Sequence, residues 1–217
     1  MIKFIDLLRE NNKILVPRRS AEERQKNYMI ATQKKIQQYI KDGSKGSLDL
    51  EKTPITTLPQ DLKVGGDLDL RNTPITTLPQ GLKVGGNLNL IDTKITTLPQ
   101  GLKVGGDLDL RHTLITTLPQ DLEVGGNLIL EDTKITTLPQ DLEVGGSLYL
   151  ENTPITTLPQ GLKVGGDLDL GGTKITTLPQ DLEVGNFLNL MYTPISEKYN
   201  VEQIKQMVPG VKGSIYI

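Results

Sequence analysis

From Leu48 onward, aliphatic residues return at fixed places in a block of twenty. The unit LxLxxTxITTLPQxLxVGGx puts Leu48, Leu68, Leu88, Leu108, Leu128, Leu148, Leu168 and Leu188 at one position of successive blocks. The hexapeptide ITTLPQ begins at Ile55, Ile75, Ile95, Ile115, Ile135, Ile155 and Ile175. Self-similarity at a fixed short period predicts a repeat solenoid with one coil per block. Within a block, alternation sends Leu68 and Leu70 to one face and Asp67, Asp69 and Arg71 to the other, as in a half-buried strand. Pro59 and its equivalents disfavour a helix on the return path. Twenty residues are also few for a strand, a helix and two turns. ITTLPQ is therefore predicted to be extended or polyproline-like, with Ile55, Leu58 and Leu62 inward.

Glycine precedes each strand. The second of the pair is Gly46, Gly66, Gly86, Gly106, Gly126, Gly146, Gly166 and Gly213, with Asn186 the exception. Glycine with asparagine as its substitute predicts a left-handed backbone there.

A stack of coils exposes apolar surface at each end and needs caps. Ser20 with Glu23 forms a capping-box pattern. It opens a helix from Ala21 to Lys41 with Tyr28, Met29, Thr32, Ile36, Tyr39 and Ile40 at helical spacing, stopped by Gly43. A shorter helix carrying Ile2, Ile5 and Leu8 is expected before it. At the other end Asn200 with Gln203 starts a helix bearing Val201, Ile204 and Val208, ended by Pro209-Gly210. VKGSIYI from Val211 then aligns with VGGSLYL from Val144, which predicts a final strand with Ile215 and Ile217 inward. The expected organisation is a helical cap over 1–46, the array over 47–195, and a helix-plus-strand cap over 196–217.

On these residues the unit resembles a leucine-rich repeat, nearest the short 20-residue class with LxxLP in its return segment, as in secreted bacterial effector proteins. The resemblance implies parallel strands on a concave face and a binding role. Two positions depart from the family pattern. Thr53 stands where the family has an Asn tying coils together, and Gly65 stands where it has its first Leu. The segments around VPRR and MVPGVKGSIYI also resemble repeat proteins of unknown function in tailed-phage and environmental sequences, which adds a structural component of a phage particle as an alternative.

Composition narrows the chemistry. There is no Cys and a single His, His112. Thiolate sites, His-based triads and multi-His metal sites are excluded, and His112 reads as an exposed turn residue. No Gly-rich phosphate motif leads into a helix. No catalytic or metal-ligating residue and no cofactor is expected. Residues 1–46 hold eleven Lys and Arg against five Asp and Glu, whereas 47–217 hold 13 against 21. An acidic array argues against nucleic acid as its partner. The basic residues Arg18, Arg19, Arg24, Lys26, Lys34 and Lys35 read as the wet face of the cap helix, with binding of nucleic acid or an acidic protein as the alternative. No run approaches the roughly 18 apolar residues of a membrane span. Lys3, Asp6 and Arg9 interrupt the opening apolar stretch, so a cytoplasmic location is expected, or a virion for a phage-encoded chain.

Variation among the blocks points to a surface. The columns of residues 47, 49, 51, 52 and 54 vary, whereas those of Thr56, Thr57 and Gln60 do not. Variable columns on the strand face suggest protein contact, with drift on a wet face as the plain alternative. The expected contact residues are Asp67, Asp69, Arg71, Asn87, Asn89, Asp107, Asp109 and Arg111, an acidic ladder flanked by arginines, followed by Ile129 and Tyr149. A basic protein, a cation or sugar hydroxyls would suit the ladder. Phe187, Met191 and Tyr192 add apolar groups, although Phe187 and Tyr192 could pack under the C-terminal cap. The uniform Thr columns leave ice binding as a minor alternative. The leading expectation is a non-enzymatic protein-binding or scaffolding module.

Overall fold

A computed structural model describes residues 20–217. The short helix expected around Ile2, Ile5 and Leu8, and the residues Arg18 and Arg19, lie outside the described residues.

Each block makes one turn, and the leucines stack in register. Leu48 lies against Leu68, Leu68 against Leu88, and so on to Leu168 against Leu188. These two-residue strands, from Leu48–Asp49 to Ile215–Tyr216, form one parallel sheet of nine, the leucine sheet. A second parallel sheet of seven, the valine sheet, runs from Lys63–Val64 to Glu183–Val184. The repeat pattern predicted a strand at Leu68 but not this second one. Its trace is the alternation Leu62-Lys63-Val64, inward, outward, inward.

The core is a continuous aliphatic column. In one interior coil Ile75, Leu78, Leu82, Val84, Leu88 and Leu90 are each at most 7% exposed. The return segment contains no helix in any of the seven ITTLPQ blocks, and its Ile and Leu residues point inward as expected.

The glycine expectation fails in all but one position. Only Gly46 of the second-glycine column has a positive φ, +75°. Steric crowding explains the others. A Cβ on Gly86 would lie 2.2 Å from Asp67 Oδ1. In the adjoining first-glycine column, a Cβ on Gly85 would lie 2.3 Å from the Gly65 carbonyl oxygen of the preceding coil. Left-handed backbone is found instead just after the leucine strand, at Lys52, Asn72, Asp92, His112, Asp132, Asn152, Gly172 and Tyr192. Asn, Asp, His and Gly are the residues that conformation favours, so this column varies within a conformational limit.

Thr53 and its equivalents do not link coils. Each buried hydroxyl donates to the carbonyl three residues back in its own coil, as Thr73 does to Leu70 at 2.7 Å. That contact closes the turn that follows the strand.

Helix α1 (Ala21–Lys41) starts at the expected capping box, with Glu23 N–H donating to Ser20 Oγ and Ser20 N–H to Glu23 Oε2, both at 3.0 Å. It packs on the first coil through Thr32 and Ile36, with Tyr39 partly buried, while Tyr28 and Ile40 stay exposed. At the other end α2 (Pro194–Lys198) replaces a return segment, and α3 (Val201–Met207) begins at the Asn200–Gln203 box. Ile204 and Val208 are buried. Leu188 pairs with Ile215 as expected, but Ile217 is 42% exposed. It lies past the end of the last strand, with no described coil stacked beyond it.

Candidate functional site

The outward residues of the leucine sheet form three columns that differ in what the scaffold asks of them. The first column is committed to joining coils. Asp67 N–H donates to Ser47 Oγ at 3.0 Å, Asn87 N–H to Asp67 Oδ1 at 2.8 Å, and Asp107 N–H to Asn87 Oδ1 at 2.7 Å. The series continues through Asn127, Ser147 and Asp167 to Phe187. Each rung serves a backbone donor that the strand ladder leaves free, and such donors are rarely left unpaired. Only Ser, Asp and Asn occupy the column until Phe187, whose side chain offers no acceptor to the exposed Ser214 beside it. The last rung is the longest, 3.4 Å, and it lies beside Asn186, where a side chain replaces the usual glycine hydrogen. Asp67, Asn87 and Asp107 thus belong to the scaffold whatever else they touch.

The second column is the row Asp49, Asp69, Asn89, Asp109, Ile129, Tyr149, Asp169, Asn189 and Tyr216, placed side by side by the strand register. Its Asp and Asn residues accept the N–H two residues on, as Asp69 does from Arg71 at 3.0 Å and Asn89 from Ile91 at 3.2 Å. This is the local turn such side chains favour. Ile129 and Tyr149 cannot make it. They are adjacent and half-buried, and they interrupt an otherwise polar row.

The third column holds the charges. Arg71 grips Asp69, with Nη2 at 2.6 Å from Oδ2, and reaches Glu51 of the preceding coil at 3.3 Å. Arg111 grips Asp109 at 2.7 Å and lies 4.0 Å from Glu131 of the following coil. Asp109 is 7% exposed, so its charge is largely spent within the molecule. Both guanidinium groups are held further in their charged form, chiefly by these hydrogen bonds.

Beyond Arg111 the balance changes. Glu131 and Glu151 stand next to each other, with Asp169 close by. Burial pushes up the Glu131 carboxyl, opposed by Arg111 and assisted by Asp109, Asp132 and Asp169. Burial also pushes up Glu151, followed by Asp169, Glu131 and Asp132. Gly171 leaves a gap in the third column, where Asp169 Oδ1, Asn189 Nδ2 and Glu151 Oε1 converge within 3.6 Å of the position a Cβ would take. Asn189 Nδ2 donates to Asp169 at 2.9 Å. Among the described residues no Lys or Arg forms an ion pair with Glu151 or Asp169. No group of three or more metal-ligating side chains is arranged to hold an ion among the described residues.

The strand face therefore divides in two. The ladder singled out by sequence is brought together, but Arg71 and Arg111 neutralise Asp69 and Asp109, and Asp67 and Asp107 serve as coil-joining acceptors. Glu131, whose one cation is Arg111 at 4.0 Å, and Glu151 and Asp169, which have no ion pair among the described residues, were not among the residues singled out by sequence. The available signal was Gly171, the one glycine in the third column. At the end of the face, Phe187 packs edge-to-face on Tyr216 with ring centroids 5.6 Å apart, whereas Tyr192 is 85% exposed. His112 is an exposed left-handed turn residue, as its type suggested. Thr56, Thr57 and their equivalents are exposed in all seven blocks.

No family model matches the sequence, and no curated protein matches it. Among solved structures, the leucine-rich-repeat domain of a Shigella effector aligns with a TM-score of 0.56 at 18% identity, over 86% of this chain and 87% of that one. The fold is a leucine-rich-repeat solenoid. In this solenoid a Ser/Asp/Asn ladder at the first strand column joins the coils, and Thr closes the turn within each coil. Among the described residues, no helix of the leucine-rich-repeat solenoid is long and apolar enough to cross a membrane.

Proposed function

We propose that this solenoid is a non-enzymatic protein-binding module whose contact centre is the Ile129–Tyr149 pair with Glu131, Glu151 and Asp169 beside it. One observation carries the reading. These two coils give up the Asp or Asn acceptor that six other coils use and set apolar groups on the strand face instead. The exchange does nothing for the scaffold, and partly exposed aromatic and aliphatic groups beside a polar rim are common anchors of interfaces. Glu151 and Asp169 have no cation of their own among the described residues and Glu131 has only Arg111 at 4.0 Å, so the fitting partner is a protein segment with an apolar side chain next to Lys or Arg. Asp69, Arg71, Asp109 and Arg111 form the rim on the other side.

The test is affinity capture from an extract of the native host, with the wild type and the double variant I129D/Y149N as baits. The variant restores the acceptors that other coils use, so it is expected to remain folded. Proteins captured by the wild type and lost with the variant support the reading. An unchanged set rejects this contact centre.

A further inference from the structure

The valine sheet carries a charge order that the scaffold does not require. Its outward residues are Lys63, Lys83, Lys103, Glu123, Glu143, Lys163 and Glu183, all exposed. The residue two positions earlier changes with them. Gly81, Gly101 and Gly161 precede lysines, and Asp121, Asp141 and Asp181 precede glutamates; only Asp61 departs. The three lysines of the first coils stand directly side by side in register, as do the two glutamates that follow. Like charges opposite one another on adjacent strands are unfavourable, by about 1 kcal/mol at such spacing in water. Alternating signs would avoid that cost. Here they are sorted into blocks, and internal ion pairs form only at block boundaries, between Lys103 and Glu123 and between Glu143 and Lys163. Lys63 and Lys83 have no ion pair among the described residues.

The adjoining column is bare. Gly65, Gly85, Gly105, Gly125 and Gly145 are exposed, and each lacks a side chain because a Cβ would strike the backbone of the preceding coil. A shallow groove runs along this strip, lined by Lys103, Glu123, Glu143 and Lys163. Backbone with so little relief lets another surface come close to the charged row.

We propose that a second copy of this chain docks here in antiparallel orientation, about a two-fold axis passing between the coils of Lys103 and Glu123. A two-fold interface pairs each residue reciprocally. Lys103 then faces Glu123 of the second copy, and Lys83 faces its Glu143. Lys41 and Lys45, at the end of α1, face its Asp181 and Glu183. Lys63 opposite Lys163 is the one mismatched row, relieved by Asp61 beside Lys63. A simple polyanion would satisfy the lysine block but be repelled by the glutamates, whereas a second copy answers both blocks with one surface. The leucine-sheet face stays free, so this inference does not depend on the function proposed above.

The experiment is sedimentation velocity on the full chain over a range of concentrations, in about 0.02 M and about 0.5 M salt, where screening differs several-fold in length. The wild type is expected to dimerise at low salt, with the association constant falling at least about tenfold at high salt. K83E/K103E and E123K/E143K are each expected to be monomeric, and their equimolar mixture to form dimers. The milder pair K83Q/K103Q and E123Q/E143Q, with circular-dichroism melts of all variants, separates loss of contact from loss of fold. A monomeric wild type at low salt overturns the proposal, as does a mixture of folded charge-reversed variants that stays monomeric. Binding of heparin by a wild type that does not self-associate assigns the lysines to a polyanion and also overturns it.

Discussion

Asn87 donates its backbone N–H to the Asp67 carboxylate of the preceding coil and, through its own Oδ1, accepts from Asp107 in the next. One side chain thus carries one rung of a ladder, and Asn and Asp are interchangeable because both present an oxygen. Asn87→Ala leaves the Asp107 N–H without its acceptor and is expected to destabilise the fold by about 0.5–1.5 kcal/mol. Asn87→Asp is expected to change stability by less. Urea unfolding of the two variants distinguishes a required acceptor from a surface residue open to any change.

The two kinds of glycine separate by substitution. Gly105→Ala puts a methyl group 2.3 Å from the Gly85 carbonyl oxygen. Gly101 has φ +68° and no atom closer than 3.7 Å to its would-be Cβ. Gly101→Ala should cost about 1–2 kcal/mol, the strain of a left-handed alanine. Gly105→Ala should cost more, because backbone must move in two coils. Thermal melts that show the reverse order would contradict the steric account.

Lys52 adopts φ +55° with an exposed side chain. Its ion pair with Glu51 is solvent-facing and contributes little. Lys52→Gly relieves the left-handed strain at the cost of a more flexible unfolded chain, and the balance is expected to raise stability by up to about 1 kcal/mol. A lower melting temperature would show that the Lys52 side chain matters more than its backbone.

The raised carboxyls of Glu131 and Glu151 give a pH dependence with a definite sign. A folded-state acid held above its unfolded pKa binds its proton more readily in the native protein. Its ionisation therefore destabilises the fold as pH rises from the ordinary carboxyl range of 4.5 through the raised value. Glu151→Gln is expected to raise the melting temperature at neutral pH, with the gain shrinking as pH falls toward that range. A gain independent of pH would mean that packing, not ionisation, is responsible.

The contact-centre variant makes a prediction about stability as well. I129D/Y149N returns the two coils to the pattern of Asp109 and Asn89, whose oxygens accept the N–H two residues on. Its melting temperature should stay near that of the wild type. A large drop would assign Ile129 and Tyr149 to the scaffold.

Sequence alone determined what lies within one coil. The spacing of Leu68, Leu70, Ile75, Leu78 and Leu82 sets strand, turn and return path, because inward and outward alternation is a local property of the backbone. The capping boxes at Ser20 and Asn200 were legible for the same reason. What the tertiary structure decided lies between coils. The acceptor role of Asp67, the bareness of Gly85 and the valine sheet through Val64 all depend on atoms one period away, brought close only by stacking. That is why a column that varies between Ser, Asp and Asn reads as a binding surface in the sequence and proves to be a ladder in the fold. Ile129 and Tyr149 stood out in the sequence as apolar residues in a polar column, but the hydrogen bond they omit is seen only in their folded neighbours.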